Sequence, residues 1–201
     1  MGSLLHCVSA AGCVIALLGA SGCGGTRETR FYVLTPLPAA ERSRDASPGG
    51  NPAIGLRPVS LPGQLDRPEI VTRVGENMLQ LAEFDQWAAP LQENFTRVLA
   101  GNLAVLVPTE RLSLFPWGKA GAPDYEVAVE VARFEGTLGG DCSLVARWSV
   151  LRRDGTTAPV TRTSSYREPA GDSYATLVAA QSRLVAALSR DIVTALKAAP
   201  Q

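Results

Sequence analysis

Histidine is almost absent from this chain. The 201 residues include one histidine, His6, and it lies in an N-terminal segment that we expect to be removed. The mature protein would then contain no imidazole, which excludes Ser-His-Asp and Cys-His catalysis and every metal site that needs a histidine ligand. It would also lack the side chain best suited to proton transfer near neutral pH.

Net charge is absent as well, because 19 lysines and arginines balance 19 aspartates and glutamates. A nucleic-acid-binding protein needs surplus basic charge to displace counterions from phosphates, so nucleic acid is not an expected partner. Apolar residues make up 46% of the chain. This fraction is normal for a folded domain and too high for a disordered one.

No apolar run reaches the ~20 residues that a transmembrane helix needs. The run from Cys7 to Ala20 is shorter and is typical of the apolar region of a signal peptide. It leads into LGASGC, residues 18–23, where small residues precede a cysteine as in a bacterial lipobox. In a lipobox the cysteine sulfur receives a diacylglycerol and the chain is cut before it. We therefore expect Cys23 to be lipidated and to anchor the mature protein to a membrane.

The lipobox departs from the usual pattern in two respects. Ala20 stands where a leucine is usual, and no lysine or arginine precedes the apolar run. An ordinary secretory signal with an incidental cysteine is the alternative. The Gly-rich, charged residues after Cys23 favour a lipidated tether, and Gly24 favours the outer membrane by resemblance to enterobacterial sorting rules.

These features divide the chain into three parts. Residues 1–22 are predicted to be a lipoprotein signal peptide, 23–30 a lipidated tether and 31–201 a single domain with a flexible loop over 36–52. A domain of this size can bury a core without disulfides. None is expected, because Cys142 would be the only free thiol left.

Alternation and helical spacing predict the fold. Short apolar or alternating runs predict strands near 31–35, 53–61, 70–74, 78–81, 112–115, 125–132, 142–150 and 160–167. Two apolar stripes predict amphipathic helices, from Leu91 to Leu106 after an Asp85 N-cap, and from Leu177 to Leu196 after an Asp172 or Ser173 cap. The fold class is α+β: one antiparallel-rich mixed sheet with two main helices packed on one face.

Candidate catalytic groups are few. Cys142 shares its alternation face with apolar residues and is interpreted as a buried structural thiol. Glu126 and Glu130 lie on one face of a strand, where they could perform acid–base work or bind Ca²⁺, but a solvated sheet face is the preferred interpretation. Ser164 lacks a nucleophile elbow. We predict no catalytic residue, no metal and no cofactor.

Candidate contact residues lie in loops and at a hairpin. Trp117 stands between Pro116 and Gly118, where no periodic pattern places it in a core, so it is the best candidate for an exposed contact. Arg152 and Arg153 lie at a predicted hairpin tip, and Arg57, Arg67 and Arg73 cluster in the first sheet segment. Such arginines could meet lipid headgroups or an acidic protein partner. Solvation and surface pairing are the alternative role for such arginines.

Three segments carry a family resemblance. FYVLTP (31–36), DRPEIVTR (66–73) and LQLAEFDQWAAPL (79–91) resemble the auxiliary lipoproteins of ABC-type transport systems, the paraquat-inducible protein C group. The resemblance implies an outer-membrane lipoprotein that faces the periplasm. Its partners would be MCE-domain proteins, which carry phospholipid between the membranes, and the associated ABC transporter components. The family offers no catalytic residues to carry over.

We therefore expect a non-enzymatic component that anchors or docks the transport complex, and homo-oligomeric assembly would suit a cyclic partner. One alternative is a periplasmic lipid-binding lipoprotein that carries its ligand itself, which would need a sizeable apolar cavity. The other alternative is an envelope enzyme that uses serine or carboxylates alone.

Overall fold

The structure is a computed structural model that describes residues 27–42, 51–107, 109–118, 121–153 and 158–198. The predicted signal peptide, Cys23 and the centre of the 36–52 loop lie outside these ranges. The described residues form the following strands and α-helices: β1 (Arg30–Tyr32), β2 (Ile54–Leu56), β3 (Glu69–Arg73), β4 (Leu79–Trp87), α1 (Leu91–Leu106), β5 (Leu112–Leu114), β6 (Tyr125–Gly136), β7 (Asp141–Arg152), β8 (Val160–Pro169) and α2 (Tyr174–Ala198).

All eight strands join one mixed sheet that forks at β6. One edge of β6 pairs antiparallel with β7, which pairs antiparallel with β8. The other edge pairs in parallel with two strands, β2 at its start (Ile54 with Tyr125) and β3 at its end (Thr72 with Gly136). Beyond β2 lies β5, and beyond β3 lie β4 and then β1. The two arms of the fork therefore stand at opposite ends of β6.

Alternation decides which face of the sheet is buried. In β7 the side chains of Cys142, Leu144, Ala146, Trp148 and Val150 all point into the core, as their spacing predicts. In β6 a register shift between residues 131 and 133 moves the pattern by one. This bulge puts a phenylalanine at 134, rather than the arginine at 133, inside.

Both helices cover this apolar face, and their inward stripes are the predicted ones. The buried stripe residues are Leu91, Phe95, Val98, Leu99, Asn102 and Leu103 of α1, with Leu177, Gln181, Leu184, Val185, Leu188 and Ile192 of α2. The Phe95 and Phe134 rings meet edge to face at 5.0 Å, which joins α1 to β6. The predicted α+β class, with two helices on one face of an antiparallel-rich mixed sheet, is confirmed.

A buried amide links both helices to the N-terminal segment. The Asn102 side-chain oxygen accepts the backbone N–H of Leu37 at 2.7 Å, and its nitrogen donates to the Ser189 hydroxyl at 3.0 Å. Because a buried polar group without partners is costly, this pairing fixes the relative position of α1, α2 and the chain that follows β1.

The expected helix start at Asp85 is wrong. Asp85 lies within β4, and α1 begins at Leu91 after Pro90. The carboxylate is buried in the sheet and accepts hydrogen bonds from the Tyr32 hydroxyl at 2.7 Å and the Arg30 guanidinium at 3.0 Å. These two partners come from β1, so the local sequence around Asp85 gives no sign of them. At the second helix, the Ser173 hydroxyl accepts the N–H of Thr176 at 3.2 Å and caps α2.

The strand expected over 53–61 is also shorter in the structure. It ends at Leu56, and the chain rejoins β6 through a bridge between Ser60 and Glu130. Pro58 has no N–H to donate, so it interrupts the ladder between these points. The continuation of the predicted hairpin tip beyond Arg153, residues 154–157, lies outside the described residues.

Candidate functional site

Trp117 is seated on the backbone of β2. Its indole lies over Gly55, where an added Cβ would come within 2.7 Å of the ring and 2.5 Å of the Pro123 side chain. Trp117 is consequently half-buried, and its neighbour Phe115 is the exposed ring, with 47% of its surface accessible. The two rings stack edge to face at 5.3 Å. An aromatic pair therefore projects from the β2–β5 end of the sheet.

Two arginines flank this aromatic pair. Arg57 lies 5.6 Å from the centroid of the Phe115 ring, close enough for a cation–π contact. The Arg57 Nε donates to one oxygen of the Glu126 carboxylate, and Arg153 donates to the other oxygen at 3.0 Å. Two guanidinium groups thus share one carboxylate, and the cluster carries a net positive charge.

The three predicted contact residues come together at this end of the sheet. Arg152 is the register partner of Tyr125 at the start of β6 and is half-buried. Arg153 follows Arg152 and donates to the Glu126 carboxylate. Glu126 in turn is the register partner of Gly55, and Trp117 rests on Gly55. We call the connected group the aromatic–arginine surface; its residues are Gly55, Arg57, Phe115, Trp117, Glu126 and Arg153, whereas Arg152 is at the same end of the sheet on the opposite face of β7. Whether these residues contact a partner stays a prediction.

Sequence reasoning missed part of this surface. Gly55 was not selected, and Arg57 was named only as one of three arginines in the first sheet segment, because no local pattern places β2 beside β6 and the 115–117 loop. Phe115 stands two residues before Trp117, so the loop signal that selected Trp117 could have included it. Glu126 is buried rather than solvated, because Arg57 and Arg153 cover it, whereas Glu130 on the same face is exposed.

The remaining candidate groups have structural contacts, with Cys142 in the core and Ser164 half-buried. Cys142 is fully buried in β7, and burial raises the pKa of its thiol to about 12, so the structure confirms the interpretation as a structural thiol. Ser164 accepts from the Trp148 indole at 3.1 Å and lies 3.3 Å from Asp191 of α2. Tyr166 donates to the same Asp191 carboxylate at 2.5 Å, and burial together with this hydrogen bond raises the Tyr166 pKa. These contacts join β7 and β8 to α2.

A polar cleft of about 220 Å³ lies at the opposite end of β6. Charged groups dominate its lining, which includes Arg73, Arg133, Glu135, Asp141, Ser143 and Arg167. The Glu135 carboxylate is buried, and one of its oxygens accepts from Arg73 at 2.6 Å while the other has no hydrogen-bond partner among the described residues. The cleft is smaller than the ~300–1,000 Å³ of typical ligand pockets and is not apolar.

Within the described ranges, no group of three or more histidine, cysteine, aspartate or glutamate side chains converges as a metal site would require. In the same ranges, neither helix is long and apolar enough to cross a bilayer.

The comparison with protein families decides the identity. The family described as the ABC-type transport auxiliary lipoprotein component matches residues 32–193, which is most of the chain. The chain belongs to this family. The resemblance seen in the three sequence segments is thereby confirmed, and the description indicates a membrane-anchored envelope protein with an auxiliary role in transport. No curated protein matches the sequence.

Two crystal structures resemble this fold closely. Protein XCC0632 from Xanthomonas campestris superposes with a TM-score of 0.69 at 17% identity, covering 85% of this chain and 97% of its own. A protein described only as uncharacterized gives a TM-score of 0.66 at 18% identity, covering 84% of this chain and 99% of its own. At these identities the likeness establishes a shared fold.

Proposed function

We propose that this auxiliary lipoprotein is a non-enzymatic component of an MCE-type lipid transport system. It is anchored through Cys23 to the outer membrane, faces the periplasm and docks the transport complex there. The observation that carries the proposal is the family match over residues 32–193, together with the lipobox that ends at Cys23. Acyl chains on that cysteine would hold the domain at the membrane.

The aromatic–arginine surface suits a protein partner. Aromatic and arginine side chains are enriched where protein interfaces bind most strongly. Here an exposed phenylalanine, a seated tryptophan and two arginines lie within one connected group. An acidic, partly apolar surface on an MCE-domain protein or an associated transporter component would complement it. Because anchoring raises the local concentration of both partners, a modest contact would be sufficient.

Capture from membranes tests the proposal. The natively processed protein, solubilised in mild detergent, should retain an MCE-domain protein. The double variant Phe115→Ser with Trp117→Ser should lose that retention. The matched control is Val33→Ser with Leu81→Ser, which removes two exposed apolar side chains, one just after β1 and one in β4, and should retain the partner. Equal loss in both variants, or no MCE-domain protein in the wild-type capture, contradicts the proposal.

The alternative role as a lipid carrier predicts a bound phospholipid. The described cleft is lined by charged groups and does not suit acyl chains. Native mass spectrometry of the purified lipoprotein separates the two roles, because a carrier would retain phospholipid besides its covalent acyl groups. The same measurement reports the number of subunits and so tests the proposed homo-oligomer.

A further inference from the structure

The path of the chain before β1 is set by strand direction. β1 runs parallel to β4, with Arg30 opposite Asp85 and Tyr32 opposite Trp87. β4 starts at the β3–β4 hairpin and runs away from it, because it is antiparallel to β3. The chain preceding β1 therefore arrives from the hairpin end. Arg27 confirms this direction, since its guanidinium lies 5.6 Å from the ring centroid of Phe84.

The anchor lies within a short length of chain of Arg27, which is on the hairpin side of Arg30. Three residues lie between Cys23 and Arg27, and the four Cα-to-Cα steps of a fully extended chain reach ~14 Å at most. This distance limit depends on the proposed function in one respect: it takes Cys23 as the acylated residue. If Cys23 carries the acyl chains, the membrane that holds them must lie within this reach of the body.

The hairpin end of the sheet is apolar where it faces outward. The β3–β4 hairpin and the β6–β7 turn lie side by side, because the Thr137 hydroxyl donates to the Arg73 carbonyl at 2.9 Å. From these adjacent turns project Val74, Met78 and Leu138, with 44%, 59% and 36% of their surfaces exposed. We call these three side chains the tip surface.

The hairpin end of the sheet is not a surface of one charge sign. The basic Arg133 and Arg167 lie near the acidic Glu76, Asp141 and Asp172, so the two signs nearly balance. A partner recognised by charge is therefore not favoured here. Side chains such as valine, methionine and leucine on neighbouring turns suit the boundary between headgroups and acyl chains, where apolar area supplies the binding free energy.

We infer that the tip surface rests against the phospholipid leaflet that holds the Cys23 acyl chains. Val74, Met78 and Leu138 enter the headgroup region beside the anchor. Tyr125 and Gly136 are eleven residue steps apart along β6, so the aromatic–arginine surface lies roughly 36 Å away along the strand. The domain stands with its tip on the membrane and presents its aromatic end to the periplasm.

Site-specific fluorescence tests this orientation on the natively lipidated protein. Met78→Cys places a thiol in the tip surface, and Ala122→Cys places one in the exposed loop before β6 at the far end. The buried Cys142 thiol does not compete for a maleimide dye. Each variant is labelled with an environment-sensitive dye in detergent and then reconstituted into vesicles of phosphatidylethanolamine and phosphatidylglycerol.

The label at 78 should shift to the blue in vesicles and become protected from iodide in the aqueous phase, at low and at high salt alike. The label at 122 should keep its aqueous spectrum. Two results overturn the orientation alone: a tip label that stays aqueous on protein that cosediments with vesicles, or one already shifted in the unlipidated Cys23→Ser background without detergent, which would indicate a second copy. Protein that fails to cosediment with vesicles lacks the anchor, and this result overturns both the anchoring through Cys23 and the orientation.

The capture of an MCE-domain protein is a separate measurement. Loss of that partner from a protein whose tip label is protected contradicts only the proposed docking.

Discussion

The Trp117 indole rests on Gly55, and a Cβ at position 55 would lie 2.7 Å from its ring carbons. Such a distance is shorter than any ordinary van der Waals contact. The absence of a side chain at position 55 of β2 is therefore what allows the tryptophan to pack against the strand, edge to face with Phe115, and complete the aromatic–arginine surface.

Gly55→Ala should displace this indole while leaving the fold intact. Trp87 and Trp148 are buried, so the Trp117 ring should dominate any increase in quenching of tryptophan fluorescence by acrylamide. Gly63→Ala is the matched control, because a Cβ there meets nothing within 4 Å. Increased quenching and weaker partner retention are expected for the first variant only. Identical quenching curves would mean that the ring is not held by this contact.

Cys23→Ser should release the protein from the membrane. The variant is still exported, but it has no sulfur to accept the diacylglycerol, so it should partition with the soluble periplasmic fraction. Detergent phase separation and intact mass measure both the location and the modification. A variant that stays with the membrane fraction, as the wild type does, would show that something other than this cysteine anchors the chain.

The Cys142 thiol should be unreactive in the folded protein. Burial raises its pKa to about 12, so the thiolate that attacks alkylating reagents is scarce at pH 8 to 9, and the sulfur is also shielded from them. Reaction with iodoacetamide should be negligible in buffer and should reach one thiol per chain in denaturant. Two reactive thiols in denaturant would indicate an unmodified Cys23, and rapid labelling of the folded protein would contradict the burial of Cys142.

Arg73→Ala should destabilise the domain more than Arg133→Ala. Arg73 donates twice to the buried Glu135 carboxylate, at 3.0 and 2.6 Å, whereas Arg133 only approaches it at 3.9 Å from a more exposed position. Loss of Arg73 leaves a buried charge without its partner, with an expected cost of about 3–5 kcal/mol. Urea unfolding measures both variants. Equal midpoints would show that Arg73 is not the group that stabilises Glu135.

Leu99→Ala should remove core packing between α1 and the sheet. Leu99 is fully buried, and truncation of such a leucine costs ~2–5 kcal/mol in free energy of unfolding. Leu114→Ala removes the same atoms from an exposed position and should change stability by less than ~0.5 kcal/mol. Comparable melting temperatures for the two variants would contradict the placement of Leu99.

Several parts of the fold could be predicted from the spacing of apolar residues, because burial of those residues is what positions the strand or helix that carries them. Alternation in β7 assigned Cys142 and Trp148 to the core, and helical spacing assigned Leu99 and Leu188. Asp85 shows where this reasoning fails. Its type suits a helix cap, but a carboxylate binds whichever donors the tertiary structure supplies, and here β1 supplies Arg30 and Tyr32. Glu126 became buried for the same reason, since Arg57 and Arg153 lie 69 and 27 residues away in the chain.

By itself the sequence determined the element order, the faces that are buried, the lack of imidazole in the expected mature chain and the cysteine expected to carry the anchor. These are local properties, set by residue type and spacing. The tertiary structure alone decided that Trp117, Arg152 and Arg153 share one end of the sheet and that Val74, Met78 and Leu138 share the other. The reason is strand direction: β6 pairs in parallel with β2 at its start and with β3 at its end. Such pairings join residues far apart in the chain and leave no local signal.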